Sequence, residues 1–85
     1  MTEPLAMKGK FYEWTNEVFA QSPFDLKTNN LMSLVAALII GNDGAVSYFY
    51  FSAKKAGATE AELAAATDIA VAATGLNLYT LIPKE

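Results

Sequence analysis

The sequence predicts an all-α protein of four helices joined by short connections, forming a subunit of a helical homo-oligomer. Three observations point there. Apolar side chains recur at helical spacing. Three stop-and-start signals divide the chain, around Ser22-Pro23, Gly41-Asn42-Asp43-Gly44 and Gly57-Ala58-Thr59. And 53% of the 85 residues are hydrophobic, against about 45–50% on average even when glycine is counted as apolar. One small domain cannot hide that surplus, and oligomerisation is a common way to stabilise a small scaffold.

The first helix is expected over about 4–21. Pro4 suits a first turn, where its missing N–H is not needed. Phe11, Trp14 and Val18 fall at i, i+3 and i+7, with Leu5, Met7 and Phe19 widening the stripe and Lys10, Glu13 and Glu17 opposite. Gly9 weakens the first half, so fraying before Lys10 is expected. Aromatics at this spacing are mostly core or subunit-interface residues, the reading preferred here over a ligand-stacking platform of Tyr12 and Trp14.

Ser22-Pro23 ends that helix, because the residue before a proline leaves the α region. Asp25 is a natural N-cap for a second helix over about 26–40, with Lys27, Asn29 and Asn30 in its first turns. The run 34–40 is apolar on every face. A helix apolar all round is buried all round, which here calls for a neighbouring subunit.

Gly41-Asn42-Asp43-Gly44 is a turn by composition, and Asn42 or Asp43 can cap a third helix over about 44–56. Val46, Phe49, Tyr50 and Ala53 form one stripe of it, while Tyr48 and Phe51 point elsewhere. Lys54 and Lys55 complement the dipole of its last turn, and Gly57 stops it. Thr59 with Glu62 three residues on reads as a capping box, which makes Glu60 and Glu62 first-turn charges rather than paired catalytic acids. The fourth helix then runs to about residue 79, rich in alanine and expected to loosen near Gly75.

Composition also removes function classes. With no cysteine and no histidine there is no thiolate, no imidazole and no Cys/His metal site. Six scattered lysines with no arginine, at a net charge of −3, argue against nucleic-acid binding. No apolar run approaches the ~20 residues of a membrane span, and the N-terminus has no basic, apolar leader. One cytoplasmic domain, 1–85, is the expectation.

The stretch Phe24-Asp25-Leu26-Lys27-Thr28-Asn29-Asn30-Leu31, the apolar run 34–40, Gly41, and Ala56-Gly57-Ala58-Thr59 with Glu60, Glu62 and Leu63 carry a resemblance. Together they resemble the carboxymuconolactone decarboxylase and alkylhydroperoxidase-D-like family, without a gap over 24–77. The resemblance implies that family's four-helix subunit and a homo-oligomer, with trimers or hexamers favoured. It does not imply either known chemistry. In the peroxidase branch the register places Asn30 at the proton-relay glutamate, Asn42 and Ala45 at the two cysteines, and Phe49 at the histidine. Thiol peroxidase chemistry needs a thiolate. In the decarboxylase branch, Asn42, Asp43, Gly44, Ala45, Phe49 and Phe51 stand where the charged and histidine groups belong.

By the same register, the family pocket would be bounded by Asn30, Asn42, Asp43 and Ala45 with an aromatic wall of Tyr48 and Phe49. Such a site suits a small apolar, neutral or weakly cationic molecule, with no cofactor expected. The plainer account is that Asn42 and Asp43 close a turn and cap a helix, while Phe49 fills the pocket. Asp43 is the one candidate acid or base there. Two functional readings follow. One is a catalytically silent oligomeric module for small-molecule binding or structure. The other is a divergent cofactor-free decarboxylase or isomerase working through Asp43 and tyrosine hydroxyls.

Overall fold

A computed structural model describes residues 3–83, and side-chain placement from residue 6. Within them the chain is four helices: α1 Glu3–Gln21, α2 Leu26–Ile40, α3 Asp43–Lys55 and α4 Glu60–Thr80. The described residues contain no strand. No helix among them is long and apolar enough to cross a membrane.

Local chemistry sets the boundaries. Asp25 caps α2, its Oδ1 accepting from the Thr28 N–H at 2.7 Å. Gly41, at φ +82°, closes α2 by returning its N–H to the Ala37 carbonyl. Of the two candidate caps for α3 it is Asn42 that serves, its Oδ1 accepting from the Ala45 N–H at 2.9 Å; Asp43 is instead the first helical residue. The capping box of α4 is complete: the Glu62 N–H donates to Thr59 Oγ1 (3.1 Å) and the Thr59 N–H to Glu62 Oε1 (2.9 Å). Two local expectations do not hold. α1 runs unbroken through Gly9, and α4 runs unbroken through Gly75. A mid-helix glycine costs about 1 kcal/mol relative to alanine, too little to break helices whose other residues are mostly good helix formers.

α2 is the central helix, packing on α3 along one side and α4 along the other. The buried core is small: Leu34 and Leu63 are its large members, joined by Ala37, Ala53, Ala66 and Ala70. The stripe expected on α3 does face inward, with Val46, Phe49 and Tyr50 packed around Ala53, while Tyr48 and Phe51 are exposed. Alanines on α4 let its backbone approach α2 closely.

α1 is held mainly at its last turn. Asn29, in the first turns of α2 but buried, accepts from the Ser22 hydroxyl (2.8 Å) and donates from Nδ2 to the Phe19 carbonyl (3.4 Å). The Ser22 oxygen in turn accepts from the Phe24 N–H at 3.1 Å. Beyond this staple α1 extends from the body. The Cα radius of gyration is 16.2 Å, where a compact chain of this length has about 12 Å. The accessible surface is 6768 Å², roughly 1,900 Å² more than the scaling for a folded monomer of 9.1 kDa gives. The Phe11, Trp14 and Val18 stripe is therefore not core within the subunit; Trp14 is 61% exposed.

The α2 and α4 N-termini are joined by Lys27 Nζ to Glu62 Oε2 at 2.9 Å. The Thr59 backbone N–H, and then the Lys27 ammonium, hold the Glu62 carboxyl below its ordinary value of 4.5. Asp25 is likewise lowered, chiefly by the Thr28 backbone N–H. The folded state thus binds these protons more weakly than the unfolded chain. Their contribution is complete above about pH 4.5 and is lost as the pH falls through the lower folded values. Thermal melts should accordingly be flat from pH 7 to 5 and decline below, with a shallower decline in Glu62→Gln. An identical acid limb in that variant would refute this account of the cap.

Candidate functional site

A cleft of about 580 Å³ lies between α1 and the α2–α3 pair. α1 contributes Tyr12, Thr15, Asn16 and Phe19. These positions lie at i, i+3, i+4 and i+7, one face of the helix. α2 contributes Leu26 and Asn30, and α3 contributes Tyr48, Phe49, Ser52 and Lys55, with Ala56 beyond its end. Existence of the cleft depends on the Asn29–Ser22 staple, which sets the angle at which α1 leaves α2.

Three of the six residues expected at the pocket line this cleft: Asn30, Tyr48 and Phe49. Asn30 is buried, and its Nδ2 donates to the Leu26 carbonyl at 2.9 Å. Its amide oxygen has no protein donor among the described residues. Phe49 is half-buried. Its ring centroid lies 6.4 Å from that of Phe19, and 5.1 Å from that of Tyr48 in an edge-to-face pair at 80°. It forms a wall and leaves the cleft open. Asn42, Asp43 and Ala45 are not among the lining residues. Asn42 and Asp43 are exposed at the N-terminal turn of α3, and Asn42 is occupied as the cap. Tyr12 does face the cleft, whereas Trp14 faces solvent.

The α1 residues Thr15, Asn16 and Phe19, and Ser52 and Lys55 of α3, were not singled out by sequence as site residues. Their pairing depends on how α1 crosses α3, which no local pattern encodes. The spacing 12, 15, 16, 19 was the only available signal.

Chemically, the cleft is two aromatic walls with amide, hydroxyl and ammonium groups at intervals. Lys55 is its one basic side chain, and no carboxylate lines it. Among the described residues, no group of three or more potential metal ligands clusters anywhere.

No curated protein and no solved structure matches the chain significantly. The model of the Carboxymuconolactone decarboxylase family matches residues 7–80. That span takes in all but the first turn of α1 and the whole of α2, α3 and α4, and it includes the stretch 24–77 whose residues carry the resemblance. With the match covering most of its length, the chain belongs to the carboxymuconolactone decarboxylase family.

Proposed function

We propose that this family member is a non-catalytic oligomeric module that holds a small, largely apolar molecule in the cleft between α1 and α3. The observation that carries the reading is the lining of that cleft. It pairs the aromatic rings of Tyr12, Phe19, Tyr48 and Phe49 with a few polar groups, and it contains no thiol, imidazole or carboxylate. Ligand sites are mostly apolar with a few placed polar groups, and proton transfer in this cleft would have to run through Lys55 or the Tyr12 and Tyr48 hydroxyls, with no carboxylate or imidazole beside them. A route through Asp43 and the tyrosine hydroxyls has less support, since Asp43 lies outside the lining. The large exposed apolar surface supports the oligomeric part, for which trimers or hexamers remain the favoured states.

Native mass spectrometry beside a denatured sample tests this. The expected result is an oligomer carrying a small added mass that denaturation releases, with affinity for the recovered molecule weakened up to about tenfold in Tyr48→Ala. An oligomer with no added mass would remove the binding role. Turnover of the recovered molecule by the purified protein would overturn the non-catalytic assignment.

A further inference from the structure

α1 carries two apolar faces, and the subunit uses one. Tyr12, Thr15, Asn16 and Phe19 look into the cleft. Met7, Phe11, Trp14 and Val18 form a second stripe about 120° further round the helix, and all four are largely exposed. Elsewhere in the same chain lies a surface of the opposite shape. A groove of about 430 Å³ between α2 and α4 is lined by Leu31, Met32, Val35, Ala65, Ala66 and Ile69. Glu62 is its sole ionisable member, and Glu62 is already paired with Lys27. No α1 residue lines this groove; Met32 and Ile69 at its rim are 52% and 59% exposed.

We infer that the outer stripe of α1 seats in the α2–α4 groove of a second copy of this chain. Shape argues for this pairing: a convex row of large side chains, Phe11 and Trp14 above all, meets a concave apolar floor kept open by the small side chains of Ala65 and Ala66. Area argues for a stable contact. The subunit exposes roughly 1,900 Å² beyond what a compact monomer of its mass does, and a standard interface needs about 800 Å² from each partner. The arrangement also completes the cleft. α1 supplies one cleft wall, so a partner gripping its outer face fixes Tyr12 and Phe19 opposite Tyr48 and Phe49. This inference rests on the oligomeric reading above and adds the surface that makes it.

Trp14 is the single tryptophan, so its emission reports seating of the stripe directly. On dilution of the wild-type protein, emission should shift to the red in step with the loss of oligomer mass. Phe11→Asp on the stripe and Ile69→Asp on the groove should each weaken association at least roughly 30-fold, the loss of one strong anchor, with helicity retained by circular dichroism. Met7→Asp and Met32→Asp at the margins are the second pair, should a central variant fail to fold. Mixing a stripe variant with a groove variant should recover association and blue-shifted emission, because each still owns the surface the other lost. A wild-type monomer would defeat the oligomeric reading itself. A wild-type oligomer that survives Ile69→Asp, or one in which mixing recovers nothing, would leave that reading standing and overturn this surface.

Discussion

Replacing Leu34 with alanine is expected to cost about 3–5 kcal/mol, the upper part of the range for a buried leucine. Leu34 is 1% exposed and sits where α2 meets both α3 and α4. Of its buried neighbours, Ala53 and Ala66 have no side chain to swing into the space and only Leu63 can relax toward it, so most of the cavity persists. A domain of this length has roughly 4–13 kcal/mol in all, so the variant should lie near its folding threshold. Urea unfolding at matched chain concentration measures this, since association makes apparent stability concentration-dependent. A loss below about 1 kcal/mol would mean that α2 is not the central helix described.

Asn29→Ala should cost about 1–3 kcal/mol, by leaving the Phe19 carbonyl and the Ser22 hydroxyl without their buried partner. Its distinguishing effect is local. Hydrogen exchange in α1 should accelerate far more than in α2, α3 or α4, because the staple joins α1 to a body packed independently of it. Ligand binding in the cleft should fall with it, as the wall bearing Tyr12 and Phe19 loses its fixed angle. Uniform acceleration across all four helices would show instead that Asn29 supports the whole fold.

The contrast between these two residues shows where the sequence is legible. Leu34 lies in an apolar run whose inward face a hydrophobic pattern implies, although Ile39 and Ile40 of the same run are exposed in the subunit. The ends of α2 and α4 are equally readable, because Asp25, Gly41 and the Thr59–Glu62 pair act on backbone groups within three or four residues. Asn29 reads as a polar residue in the first turns of a helix. Only the return of Ser22 and Phe19 across the loop makes it a buried staple, and that return is tertiary. Gly9 and Gly75 fail for a related reason: their weak local preference is outweighed by the residues around them. The candidate site divides the same way. Register along α2 and α3 points to Asn30, Tyr48 and Phe49, whereas Thr15, Asn16 and Ser52 become neighbours only through the crossing of α1 over α3. Asn42 follows capping chemistry and is spent there.

One chain exposes apolar surface that a stable assembly would cover. Sedimentation equilibrium of the purified protein across the micromolar range tests for that assembly most directly. The expected result is a species of several chains, with the mass of three or six favoured, that resists dilution into the low micromolar range. A single species of 9.1 kDa at every concentration would contradict the account. The exposed stripe of α1 and the α2–α4 groove would then have no partner in another copy of the chain.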